Sequence, residues 1–158
     1  MPLGTMLLPD PAATEALAER IAAVAVRHDV IALWGGLGTG KTVFARAFIR
    51  ARTNRNEEVP SPTFTLVQTY PVPSPPGCLI YHFDLYRVEG PEEAWDLGFD
   101  EALADGVSLI EWPDRLGSLL PQDRLDIRLE RGATATCRTA TVSGSPGWQS
   151  RLREAGLA

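Results

Sequence analysis

Lysine is almost missing from this chain. Of the fifteen basic residues among its 158, fourteen are arginine and Lys41 is the only lysine. Whatever bias turned basic positions into arginine spared position 41, which points to a need for a compact ammonium on a flexible stem. Cysteine and histidine are scarce as well. Cys78 and Cys137 lie far apart with no partner at metal-ligand spacing, and only His28 and His82 could assist them. That excludes a zinc site and leaves two buried free thiols as the expectation. No apolar run is long enough to cross a bilayer; the longest, residues 21–26, covers six positions. No basic flank precedes an apolar stretch at the amino terminus, so no signal peptide is expected and a cytoplasmic protein is. Dense basic runs are also lacking. Fifteen basic against twenty acidic residues leave a net charge of −5, a poor platform for phosphate neutralisation on nucleic acid. If RNA is involved, another subunit holds it.

What remains is ordinary for a globular chain, with 44% hydrophobic and 22% charged residues. The length suits one domain, residues 1–158, that buries about 70% of its unfolded surface without staples. Asp10 before Pro11 predicts an N-cap with proline in the first turn, and Leu17, Ile21 and Val24 continue a helix to about Arg27. The apolar run 30–34 predicts a strand buried on both faces, followed by a loop and a helix from Lys41 to about Arg52. In that helix Phe44, Phe48 and Ala51 form the expected core stripe, with Arg46 and Arg50 outward. Residues 53–61 read as a loop. Strands are predicted over 64–70 and 79–85, a hairpin closed by the proline-rich loop 71–77. Gly90-Pro91-Glu92-Glu93 opens a short acidic helix that Gly98 closes. Further strands are expected over 107–112, 125–129 and 133–142, the last two joined at Arg131-Gly132, with a final helix from Pro146. The fold class is α/β with a mixed central sheet.

The strongest signal is Gly35-Gly36-Leu37-Gly38-Thr39-Gly40-Lys41-Thr42, a full match to the Walker A phosphate loop, with Val43 directly behind it. Glycines let successive backbone N–H groups face one anion, and the helix from Lys41 adds the positive end of its dipole. Lys41 is placed to reach the β- and γ-phosphates and the Thr42 hydroxyl to hold magnesium. The bare pattern arises by chance in about one such chain in a few hundred at average composition, so context decides. A buried strand before the loop and a helix after it supply that context. The Asn-Lys-x-Asp element by which GTPases read guanine cannot exist here, because Lys41 is the sole lysine. ATP with Mg2+ is therefore the expected ligand.

A phosphate loop needs a carboxylate on a neighbouring strand end to hold magnesium, directly or through water. Glu111 closes one apolar run and Asp84 another, and catalytic groups in open α/β sheets gather at such ends. The competing reading pairs each acid with a nearby arginine, Arg115 or Arg87. Ser61-Pro62-Thr63 starts the strand antiparallel to 79–85, which places Thr63 at the edge of Asp84, like a switch loop ordered by nucleotide. Trp112 either covers the site or packs in the core. His82 reads as a buried strand residue rather than a base.

Taken together these segments resemble the bacterial TsaE family (older name YjeE), the ATPase component of tRNA threonylcarbamoyladenosine synthesis. The likeness runs from Leu8-Pro9-Asp10 to about Leu129. It rests on Ser61-Pro62-Thr63-Phe64-Thr65-Leu66-Val67, His82-Phe83-Asp84-Leu85-Tyr86-Arg87 and Leu109-Ile110-Glu111-Trp112-Pro113, spaced around the Walker A loop. The resemblance implies a three-layer P-loop NTPase fold in which Thr42 and Glu111 hold magnesium and Lys41 binds phosphates. Asp84 and the Thr63 segment would serve hydrolysis, with Trp112 and Thr14 beside the nucleotide. It also implies association with the TsaD and TsaB proteins, tRNA being met chiefly through that complex. The family loop commonly reads Gly-Asp-Leu-Gly-Ala-Gly-Lys-Thr; here Gly36 replaces the aspartate and Thr39 the alanine, touching neither lysine nor hydroxyl. Two other readings stand beside it. One is a small-molecule kinase in which Arg115, Arg124, Arg128 and Arg131 clamp a second substrate. The other is a module that senses nucleotide without hydrolysing it.

Overall fold

The computed structural model describes residues 2–73 and 77–157, so Ser74, Pro75 and Pro76 of the expected proline-rich loop lie outside the described residues. Seven strands form one sheet in the order β1-β7-β6-β2-β5-β4-β3. They are β1 (Pro2–Leu8), β2 (Val30–Trp34), β3 (Val67–Pro71), β4 (Leu79–Asp84), β5 (Gly106–Glu111), β6 (Leu125–Arg131) and β7 (Arg138–Gly144). The central four, β6-β2-β5-β4, are mutually parallel, while β1, β7 and β3 pair antiparallel at the two sides. A parallel centre must be covered on both faces. Helices α1 (Pro11–Val24), α2 (Lys41–Arg52) and α5 (Pro146–Glu154) share one buried cluster with Ile31, Leu33, Leu109 and Ile127. On the other face, α3 (Pro91–Trp95), α4 (Phe99–Asp105) and a 3-10 segment Pro113–Leu119 enclose Val30, Phe83 and Ile110. This is the three-layer P-loop arrangement.

Strand period two decides which polar residues meet. Val107 and Leu109 belong to the α1/α2 cluster, so Glu111, two residues on, faces the same layer. Ile80 belongs to it too, which turns His82 and Asp84 that way. The β4–β5 register then sets Asp84 opposite Glu111. Both acids therefore stand at strand ends directly beneath the amino terminus of α2.

Several boundaries differ from expectation for local reasons. Helix α1 is capped as predicted, with Asp10 Oδ1 accepting from Ala13 N at 2.9 Å, but it stops at Val24, where Ala25 turns extended. Ala51 is exposed; Ala45, Ala47 and Ile49 complete the buried side of α2. Residues 64–66 are not strand. Leu66 N donates to Pro62 O at 2.7 Å and Leu66 has φ 70°, so the chain coils once before β3. Gly98 does not close α3 but stands at the N-cap of a separate helix, α4. β6 and β7 are joined by a wider turn, residues 132–137, and β7 runs on to Gly144. β1 was not expected at all; its sequence PLGTMLL lacks alternation, and only its pairing with β7 makes it a strand. Helix α5 is tied back by Arg151, which donates to both carboxylate oxygens of Asp29 at 2.7 and 2.8 Å and lies 3.9 Å over the Trp148 ring. Cys78 and Cys137 are free and buried.

Gly106 fixes how closely β4 and β5 approach. A Cβ there would strike the Leu79 carbonyl oxygen and lie 2.8 and 2.9 Å from carbons of the Tyr81 ring. Because the obstacle is backbone of the paired strand, it cannot swing aside. Gly106→Ala should cost about 1–3 kcal/mol, the scale of overpacking a tight interior, measured by urea unfolding. An unchanged midpoint would show that the two strands have slack.

Candidate functional site

The first loop residue explains why the turn must begin with glycine. Gly35 has φ 145°, and a Cβ on it would lie 2.5 Å from the Leu129 carbonyl oxygen and 2.6 Å from Thr39 Oγ1. The loop beyond is braced through its carbonyls. Thr39 Oγ1 donates to Gly36 O at 3.0 Å, Arg131 Nη2 to Leu37 O at 3.2 Å and Arg138 Nη2 to Gly38 O at 3.0 Å. At the loop's end α2 starts on Gly40 with no side-chain cap and no acid in its first turn. Its amides and dipole are thus left for an anion.

In front of the loop lies a cavity of about 490 Å³. Of the residues expected at the site, Thr14, Leu37, Gly38, Thr39, Gly40, Lys41, Thr42, Val43, Thr63, Asp84, Glu111 and Trp112 all line it. Gly35 does not; it borders a second cavity behind the loop and contributes its carbonyl instead. Lys41 is folded back, its Nζ donating to Gly35 O at 2.8 Å and Gly36 O at 2.6 Å and resting 4.3 Å from the Trp112 ring centroid. Burial lowers its pKa from the usual lysine value, against the pull of Glu111, Asp84 and Asp114. Trp112 holds a left-handed backbone, φ 60° and ψ 53°, uncommon for a bulky residue. It packs on Tyr86 at 4.8 Å between ring centroids.

The two acids occupy distinct networks. Glu111, 2% exposed, accepts from Thr42 Oγ1 at 2.9 Å through Oε1 and contacts His82 Nε2 at 2.7 Å through Oε2. Asp84 accepts from Thr63 Oγ1 at 3.2 Å and from Tyr86 N at 3.1 Å, and Thr63 is held in turn by Ser61 Oγ at 2.8 Å. Among the described residues neither acid pairs with arginine: Arg115 reaches Asp114 and Arg87 lies over Phe64. Nor do the four arginines of a kinase-like clamp converge on this cavity. Arg124 is bound to Asp126, Arg128 lies over Trp34, and Arg128 and Arg131 border the rear cavity.

The donor set suits magnesium. A hydroxyl that donates its hydrogen to Glu111 keeps its lone pairs for a cation. Hard oxygen ligands from one or two side chains, completed by phosphate and water, are what Mg2+ takes. Reading the strand as sequence missed the contact of His82 with Glu111, 29 residues away. The available signal was its place two residues before Asp84, which strand period puts on the same face. Arg138 was missed as well, since nothing local marks it, while Ser61 was read only as part of the segment leading to Thr63.

The chain matches the family described as threonylcarbamoyl adenosine biosynthesis protein TsaE over residues 8–140. It is 40% identical over 117 residues to the tRNA threonylcarbamoyladenosine biosynthesis protein TsaE of Rickettsia bellii, covering 74% of this chain and 79% of that one. The Bacillus subtilis protein of the same name is 41% identical, covering 77% and 74%. The crystal structure of Bacillus subtilis YdiB superposes with a TM-score of 0.76 and 28% identity, covering 97% of this chain and 93% of that one.

Burial chiefly, with the Glu111 carboxylate adding to it, pushes the Asp84 carboxyl above the ordinary value of 3.8; the hydrogen bonds from the Tyr86 amide and Thr63 oppose this. The folded state then holds the proton more tightly than the unfolded chain, so stability is lost as pH rises from the ordinary value through the native one. Asp84→Asn should therefore raise Tm by a few degrees at pH 8, and the gain should vanish below pH 3.8, where both forms are neutral. A gain that persists in acid would mean that packing rather than charge is responsible.

Proposed function

The chain belongs to the TsaE family, and from that premise we propose that it is a Mg2+-dependent, partner-coupled ATPase of tRNA threonylcarbamoyladenosine synthesis. It acts as one P-loop domain in the cytoplasm, in association with TsaD and TsaB, which hold the tRNA. The observation that carries the reading is the convergence of Thr42, Glu111, Asp84, Thr63 and Lys41 on one cavity in front of an uncapped helix. No helix among the described residues is long and apolar enough to cross a membrane.

The triphosphate would lie along Gly38, Thr39, Gly40 and Lys41, with Val43 and Thr14 towards the nucleoside. Lys41 would exchange its two carbonyl partners for phosphate oxygens, a low-cost exchange because one set of acceptors replaces another. Thr42 and Glu111 would hold Mg2+, which when bound neutralises charge on the phosphates during phosphoryl transfer. Asp84 would accept the proton of the attacking water. Burial makes it a stronger base than an exposed aspartate, which suits that task. Thr63 fixes one oxygen of Asp84 and thereby couples the preceding loop to the state of the site. Trp112 covers the lysine and keeps bulk water from it.

Two measurements test this. Phosphate release from Mg·ATP should be slow for the chain alone, change when the TsaD–TsaB pair of the same organism is added, and vanish in Lys41→Ala. Turnover that ignores the pair, with no complex formed, would sink the partner-coupled reading. Asp84→Ala should cut hydrolysis by about 10²-fold or more while ATP binding persists. Lost binding with normal turnover would remove Asp84 from the chemistry.

A further inference from the structure

His82 is fully buried in β4 on the face of the α1/α2 layer, and among the described residues only Ser108 is a polar side chain buried as completely. Burying an imidazole without function is unfavourable unless its nitrogens are satisfied. Only one is: Nε2 meets Glu111 Oε2 at 2.7 Å, while Nδ1 has no partner among the described residues. A carboxylate can only accept, so Nε2 carries the hydrogen and Nδ1 is left as a bare lone pair. A buried lone pair costs less than a buried unpartnered N–H, which makes this tautomer the one the site supports.

The register explains the reach. His82 pairs with Leu109, one strand-face step behind the Asp84–Glu111 pair. The carboxylate of Glu111 is thus a diagonal neighbour on the same face, within range of a long side chain. With Oε2 held by His82, the remaining oxygen, Oε1, is aimed at the Thr42 hydroxyl at 2.9 Å. Without that hold the carboxylate could rotate about its last torsion, which is broad for glutamate, and turn Oε1 away from Thr42.

We infer that His82 is a positioning residue that orients Glu111 through its Nε2–H and so sets the affinity of the Thr42–Glu111 pair for magnesium. This rests on the Mg·ATP reading above. It differs from a merely structural role because the effect is confined to the magnesium-dependent part of nucleotide binding. His82 touches no reacting atom.

The test compares binding of a fluorescent ATP analogue in magnesium titrations and in EDTA. In His82→Leu the magnesium needed for half-maximal affinity should rise about tenfold or more, the scale for losing a partner behind a metal ligand, with affinity in EDTA unchanged. His82→Gln, which places an amide N–H where Nε2 lies, should restore most of it. His82→Asn is polar but too short to reach Glu111, and it replaces His82→Leu in the comparison if that variant folds poorly. Equal losses with and without magnesium, or no rescue by glutamine, would overturn the assignment. Imidazole nitrogen NMR gives an independent readout, since the chain has only two histidines and His28 is exposed. The slowly exchanging ring N–H should be on Nε2; a proton found on Nδ1 would refute the geometry. Wild-type nucleotide affinity that ignores magnesium would instead sink the magnesium reading, leaving the ring spectrum to judge the hydrogen bond alone.

Discussion

Two carboxylates are held side by side at the ends of neighbouring parallel strands, and much of the site exists to make that tolerable. The β4–β5 register puts Asp84 against Glu111, both nearly out of contact with water. Like charges at such a distance repel, and burial penalises each. The structure answers with separate sets of donors: Thr42 and His82 for Glu111, Thr63 and the Tyr86 amide for Asp84. Each donor also ties a different segment to the site. Helix α2, strand β4, the loop before β3 and the turn after β4 are all fixed by serving one of two acids. The close strand approach at Gly106 keeps that register from slipping.

The phosphate loop shows the complementary strategy. Its curve is fastened by Thr39, Arg131 and Arg138, which donate to its carbonyls, and the start of α2 is left without a cap. Fixing the curve in advance means that an arriving anion need not pay to order the chain. The two arginines are the adjoining ends of β6 and β7, so the antiparallel side of the sheet contributes to the site through the turn that joins its last two strands.

Much of this was legible in the residues. The loop from Gly35 to Thr42, the strand before it and the helix after it form a pattern whose parts constrain one another, and they fell where expected. Glu111 and Asp84 were legible as acids closing apolar runs, and the fold brings both to the cavity. What stayed hidden depends on contacts distant in sequence. β1 became a strand only by pairing with β7. The coil at 62–66 hides in a segment whose β-branched and aromatic residues favour a strand, because the Leu66–Pro62 bond wins locally. The six-residue turn before β7 likewise follows from Gly132 bonding to Cys137 O, which no dipeptide signal announces. His82 looked like filler because its partner lies on another strand. Phe64, 81% exposed beside Thr63, was expected inside a strand and instead stands in solvent under Arg87.

The solitary lysine has a chemical corollary. Across these 158 residues Lys41 holds the only side-chain amine, enclosed by two carbonyls and an indole face. Any reagent that acylates primary amines, and any enzyme that marks proteins on lysine, has one internal address here, and it lies in the lining of the candidate site. Covalent modification of this chain at lysine therefore reports on a single position, and the extent of labelling measures how far two carbonyls and the indole shield it.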